Sequence, residues 1–139
     1  MIFHVNRLTF RPEVDDRQRA EALDRLRLQG SEIDAVTSWV VGPDIGGDYE
    51  WGAVFAIEDL EGYWEYLVHP VHFESQKAGL PLIGRFVSFD ITDDDDPGIG
   101  ARIAELHERS YRENPELATL VGDVPSFAAG AVPEDEPRS

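Results

Sequence analysis

The chain opens with a regular alternation of residues over positions 2–10, which is the period of a β-strand with two distinct faces. One face carries Ile2, His4, Asn6, Leu8 and Phe10, and the other carries Phe3, Val5, Arg7 and Thr9. Pro12 ends this strand, and Asp15 or Asp16 can cap a helix that we expect to stop at Gly30. The predicted apolar face of that helix consists of Ala22, Leu23, Leu26 and Leu28.

Two further strands, at about residues 35–42 and 50–57, flank a turn rich in glycine and therefore predict an antiparallel hairpin. Asp59 then caps a helix whose apolar residues recur at helical spacing, until His69 and Pro70 break it. A new helix runs to about Leu80, and residues 84–91 form a last strand. The resulting β-α-β-β-α-β order predicts an α+β fold of the ferredoxin-like type.

The predicted sheet carries large apolar side chains on both faces, whichever register is correct. On the third strand Trp51 and Phe55 alternate with Val54 and Ala56. Helices can cover only one of these faces, and a second copy of the chain is the simplest cover for the other. We therefore expect a homodimer.

The remaining residues form a separate acidic segment. Asp93 to Asp96 have the composition of a linker, and Ile99, Ile103 and Leu106 then form a stripe that predicts a docked helix over residues 99–113. The alternative is a disordered acidic extension. From Val124 onward the sequence predicts extended chain, with disorder at its end. The expected organisation is a domain at 1–92 and, at 93–139, an acidic linker, a helix and a partly disordered tail.

The composition and charge of the chain argue against several classes of function. The chain has 139 residues, which suits a single core, and it has no cysteine, which excludes disulfides and thiolate chemistry. Its net charge of −16 opposes binding to nucleic acid or to an anionic membrane. No apolar run reaches the ~20 residues of a membrane span. Because the first residues read as a strand with an early Arg7 and not as a signal peptide, we expect a cytoplasmic protein.

Several segments resemble the stress-responsive A/B barrel (Dabb) family over about residues 1–92. They are the I-x-H-V start of the first strand, the Tyr66–His72 segment, the L-P-L-I segment at 80–83, and Ser88 and Asp90 in the closing strand. The resemblance implies a ferredoxin-like protomer that pairs into a dimeric α+β barrel. It also implies a function within a family that includes stress-induced proteins of unclear activity and polyketide cyclases.

His72 and Tyr66 are the candidate catalytic residues, because they flank the helix break and match the motif positions of the cyclases. A histidine can remove a proton beside a carbonyl group, and a tyrosine hydroxyl can hold the carbonyl oxygen. Either residue can instead be structural: His72 can bond a backbone carbonyl group, and Tyr66 can belong to the core. No cofactor and no metal ion are expected, since a third ligand beside His69 and His72 is not evident.

Candidate substrate-binding residues are His4, Arg7, Trp51 and His69. For Arg7 the competing interpretation is an ion pair with a carboxylate such as Asp90, and for His69 it is a helix cap. His107, in the predicted tail helix, is expected to be solvated.

Two functional hypotheses follow. The first is a protein that binds or transforms a small hydrophobic or carbonyl compound, and it requires a pocket beside His72 and Tyr66. The second is a non-catalytic dimeric stress or accessory protein whose tail binds a protein partner. A closed interior filled by Trp39, Trp64 and Phe73 would favour the second.

Overall fold

The computed structural model of the protein describes residues 1–129 and has the predicted β-α-β-β-α-β order, followed by two helices and a short strand. The strands are β1 (Ile2–Phe10), β2 (Val36–Pro43), β3 (Trp51–Ile57), β4 (Ile83–Thr92) and β5 (Ser126–Ala129). The helices are α1 (Asp16–Glu32), α2 (Leu60–Val68), α3 (Pro70–Gly79), α4 (Ile99–Glu113) and α5 (Pro115–Gly122), with a 3-10 turn at Leu80–Leu82. The ferredoxin-like fold class is therefore confirmed.

The five strands form one sheet in the order β2-β3-β1-β4-β5. All pairings are antiparallel except that of β5, which returns parallel to β4. Residues that pair directly across antiparallel strands share a face of the sheet. His4 pairs with Phe55 on one side and with Asp90 on the other, so these three side chains lie on the same face, beneath the helices.

The open face of the sheet, on the side away from the helices, is apolar along its centre. Val5 pairs with Val54 and with Phe89, and Val40 lies beside Val54 on the outer strand. Val40 is 59% exposed and Ile91, on the same face, is 58% exposed. A contiguous apolar surface of this kind is unusual for a protein that stays monomeric in water.

Helix α1 differs from the prediction at its end. It continues past Gly30 to Glu32, and Gly30 is buried against the ring of Trp39. A Cβ atom at position 30 would lie 2.2 Å from that ring, so glycine permits close packing here and does not end the helix. Leu28, expected on the buried face, is 41% exposed because it lies on the outer side of the helix.

The predicted helix at 99–113 is present with those bounds, and it is docked. Helix α4 packs against α2, Ile103 is buried, and the guanidinium group of Arg109 lies 4.1 Å from the ring centre of Trp64. Helix α5 buries Leu117 and Val121. The alternative of a disordered extension is therefore wrong for residues 99–121, whereas the disorder predicted for the end of the tail lies outside the described residues. Within residues 1–129, no helix combines the length and apolarity needed to cross a membrane.

Candidate functional site

Four polar side chains from four different elements meet between the sheet and the helices. They are His4 of β1, Tyr63 of α2, Asp90 of β4 and His107 of α4, and we call them the polar cluster. His4 Nδ1 lies 2.9 Å from Asp90 Oδ1. The Tyr63 hydroxyl oxygen lies 2.9 and 3.1 Å from the two Asp90 oxygens, 3.1 Å from His4 Nδ1 and 2.7 Å from His107 Nε2.

The number of protons that each group carries determines which group donates in each of these hydrogen bonds. An ionised Asp90 can only accept, so His4 Nδ1 carries a proton and donates it to the carboxylate, and the Tyr63 hydroxyl donates to the same group. Tyr63 has then used its only proton, so His107 Nε2 must donate to the Tyr63 oxygen. In neutral rings this assignment leaves a lone pair on His4 Nε2 and another on His107 Nδ1.

Burial and neighbouring groups shift the pKa values in the polar cluster and so determine which of its side chains are charged. Burial alone would raise the pKa of Asp90, but the hydrogen bonds from His4 and Tyr63, together with the positive charge that His4 and His107 carry when protonated, outweigh it and lower that pKa. Burial and the neighbouring Asp90 raise the pKa of Tyr63 well above its usual value. Burial, followed by the proximity of His4, lowers the pKa of His107 to about 4. At neutral pH the cluster therefore holds an anionic Asp90, a protonated Tyr63 and a neutral His107.

The two candidate catalytic residues lie beside this cluster. The ring centres of Tyr66 and His72 are 4.7 Å apart, and that of His4 is 5.4 Å from Tyr66. His72 Nδ1 donates to the Leu67 carbonyl oxygen at 3.1 Å, so its Nε2 atom carries the lone pair. Burial, followed by the proximity of His4, lowers the pKa of His72 to about 3. The Tyr66 hydroxyl is fully buried and donates to Gln29.

The other predicted substrate-binding residues lie apart from the cluster. His69 caps α3 by accepting from the Val71 N–H at 3.1 Å, as its alternative interpretation predicted. Arg7 lies on the open face, where it pairs at 2.7 Å with Asp44; the suggestion that its partner is Asp90 is wrong, because Asp90 lies on the opposite face. Trp51 is on the helix side of β3, half-buried against the core.

Two cavities adjoin the polar cluster. The inner cavity, of about 40 Å³, is lined by His4 and His72 together with Gln76 and residues of the tail. The outer cavity, of about 290 Å³, lies between β4 and α4 and includes Asp90 in its wall. Both cavities are lined by Ser88, His107, Tyr111 and Phe127, so these residues form a shared wall.

The prediction that His107 is solvated was wrong, because its ring packs into the polar cluster. It follows Ile103 by four residues, so it continues the apolar stripe of α4 onto the domain surface. That spacing is the feature of the sequence that indicates its burial, but it does not show which residues the helix meets. Tyr111, four residues further along, was missed for the same reason.

The polar cluster also contains the residues that could hold a metal ion within the described part of the chain. Ligand atoms of His4, Asp90 and His107 all lie within 4.8 Å of one another. The Tyr63 hydroxyl oxygen lies within 3.1 Å of all three groups, so a metal ion would have to displace it from its hydrogen bonds with Asp90 and His107 or recruit it as a ligand. His69 and His72, the pair for which the sequence offered no third ligand, are not part of this group.

A ferredoxin-like sheet with a buried polar cluster beneath its helices defines the class of this protein, and comparison with known families gives the family. The Stress responsive A/B Barrel Domain (Dabb) matches residues 2–93. The chain therefore belongs to the Dabb family, as its sequence predicted. A search of curated proteins finds no match.

Solved structures share the fold at low sequence identity. A Dabb family protein with a ferredoxin-like fold from Mesorhizobium loti is 22% identical, with a TM-score of 0.59 over 67% of this chain and 96% of that chain. A dimeric ferredoxin-like protein of unknown function from Thermobifida fusca is 20% identical, with a TM-score of 0.59 over 66% and 89%. Hydroxynitrile lyase from Passiflora edulis is 11% identical, with a TM-score of 0.61 over 68% and 94%.

Proposed function

We propose that this protein binds a small carbonyl compound and catalyses a proton transfer beside its carbonyl group without a cofactor. The observation that carries the proposal is the 2.9 Å hydrogen bond between His4 Nδ1 and Asp90, which leaves His4 Nε2 as a base in a residue that lines the inner cavity. An aspartate that accepts from one imidazole nitrogen fixes the tautomer and stabilises the imidazolium that forms when the other nitrogen takes a proton.

This geometry favours His4 over His72 as the base. His72 Nε2 already accepts from the Gln76 side-chain amide at 3.4 Å, and a pKa of about 3 makes His72 a weak base at neutral pH. The Tyr66 hydroxyl is engaged by Gln29, so we assign its ring the role of packing between His4 and His72.

Hydrogen exchange at carbon tests the proposal without knowledge of the natural substrate. Acetophenone and related methyl ketones are incubated with the protein in D2O, and the loss of the methyl proton signal is followed by NMR. We expect exchange above the buffer rate, and we expect His4→Ala to lower it by about 10²-fold or more, because a general base typically contributes that much. His69→Ala is the matched control, since this histidine caps a helix outside the cavities. Exchange that survives His4→Ala would overturn the assignment of the base.

Binding without catalysis is the second candidate function. It is favoured by the sizes of the cavities, because the inner cavity beside His4, at about 40 Å³, has room for a few water molecules only, whereas the outer cavity of about 290 Å³ can hold a ligand away from that base. A partner-binding role of the tail gains no support from the helices, because α4 and α5 direct their apolar residues inward. Absence of exchange with every ketone, together with saturable ligand binding, would favour this function. A role in the stress response and a cytoplasmic location remain predictions.

We also propose that two copies of the chain pair through the open face. The support is the exposed apolar strip that includes Val40 and Ile91. The dimeric ferredoxin-like protein from Thermobifida fusca adds to that support. Burial of this strip in a homodimer would remove apolar surface from water, which is the main driving force for association.

A further inference from the structure

We infer that the outer cavity is a binding site for a neutral, mostly apolar molecule that carries a hydroxyl group. The family match ends at residue 93, whereas one side of this cavity is built by α4 and β5. The site is therefore a product of the C-terminal segment packed on the family domain. The inference concerns binding alone, so it does not depend on the catalytic role proposed for His4.

The walls and size of the cavity suit a small ring compound. Ile99, Ile103 and Ala104 of α4 line one side, and Phe127 of β5 lines another. The volume of about 290 Å³ lies at the lower end of the range found for small-molecule pockets. Apolar walls with a few convergent polar groups are the usual composition of such sites.

The polar groups of the cavity converge at its boundary with the polar cluster. Asp90, Ser88, His107 and Tyr111 all line it. The side chain of Asp90 is 13% exposed, and its carboxylate has about four acceptor positions, of which His4 and Tyr63 use part. A hydroxyl group of a ligand can therefore donate to Asp90.

Charge selects the ligand class. Asp90 is ionised at neutral pH because its pKa is lowered, and His107, with a pKa of about 4, is neutral. No lysine or arginine is found among the described residues that line the cavity. A carboxylate or phosphate ligand would meet an uncompensated negative charge at low dielectric, whereas a neutral hydroxyl group gains a charge-assisted hydrogen bond.

Titration with 2-naphthol, followed by its fluorescence and by calorimetry, tests this site in the full-length protein. We expect saturable binding at a single site, and binding of 2-naphthoate weaker by about tenfold or more, because the second probe places an anion near Asp90. Ala104→Phe should fill the cavity and weaken 2-naphthol binding by about tenfold or more. Ala101→Phe, on the exposed side of the same helix, is the matched control and should leave binding within about twofold.

Three results would overturn the inference: no saturable binding of 2-naphthol, equal binding of 2-naphthoate, or equal loss of binding in the two phenylalanine variants. Circular dichroism establishes that both variants are folded. Ala104→Phe separates this site from the proposed catalysis, because Ala104 lines only the outer of the two cavities. That variant should lose 2-naphthol binding and retain ketone exchange.

Discussion

Removal of the Tyr63 hydroxyl group should destabilise the protein more than removal of the Tyr66 hydroxyl group from the same helix. In Tyr63→Phe, Asp90 loses a hydrogen bond of 2.9 Å and His107 Nε2 loses its partner at 2.7 Å. A hydrogen bond to a charged group contributes about 1.5–3 kcal/mol, and an unsatisfied buried donor costs about 1–3 kcal/mol. These contributions overlap, so we expect a loss of about 3 kcal/mol in the free energy of unfolding.

Tyr66→Phe is the matched control. Its hydroxyl group donates to the neutral Gln29, whose buried side-chain oxygen loses this partner in the variant, so the expected loss is about 1–2 kcal/mol. Urea denaturation monitored by tryptophan fluorescence measures both free energies of unfolding, with the slope of the transition as a check on two-state behaviour. A loss in Tyr63→Phe no greater than that in Tyr66→Phe would refute the reasoning that the Tyr63 hydroxyl holds the polar cluster together.

Three further predictions concern pH, the tail and the dimer. The pKa values of His72 and His107 are lowered to about 3 and about 4, so the unfolded chain takes up protons at these positions at a higher pH than the folded chain does, and the free energy of unfolding should fall as pH drops from ~6.5 towards 4. Urea titrations at several pH values should show that the free energy of unfolding depends less on pH in His107→Asn than in the wild type. An unchanged pH dependence would contradict the burial of His107. Truncation after Thr92 should expose the apolar surface under α4 and α5 and lower the melting temperature by several degrees, which calorimetry measures; an unchanged melting temperature would count against docking of the tail. In light scattering at micromolar concentration, the wild-type chain should have twice the chain mass, and Val40→Lys should have the mass of a monomer. Leu28→Lys, at an exposed site on α1, should remain dimeric, and a wild-type monomer would reject the proposed interface.

The fold was predictable because its determinants are local and periodic. Alternation in β1, the break at His69 and Pro70, and the helical stripe of α4 each define an element from a short stretch of sequence. The predicted end of α1 at Gly30 was wrong, because a glycine inside a helix has the same sequence signal as one that ends a helix when its packing partner is unknown. Only the packing of Trp39 on position 30 shows why the helix continues.

The site was only partly predictable because it depends on contacts between distant segments. The motif around His72 and Tyr66 pointed to side chains that lie beside His4 of the polar cluster. The polar cluster, however, joins residues 4, 63, 90 and 107, which only the strand register and the docking of α4 bring together. Sequence spacing cannot show that the Tyr66 hydroxyl is engaged by Gln29, or that burial makes His72 a weak base.

The tautomer of His4 tests the central claim of the proposed function most directly. Long-range proton–nitrogen correlation NMR at neutral pH distinguishes a protonated imidazole nitrogen from one that carries a lone pair, and the His4→Ala spectrum assigns the signals. The donation from His4 to Asp90 predicts a proton on Nδ1 and, in the neutral ring, a lone pair on Nε2. A neutral His4 with its proton on Nε2 would contradict the account, because the nitrogen proposed to act as the base could not accept a proton.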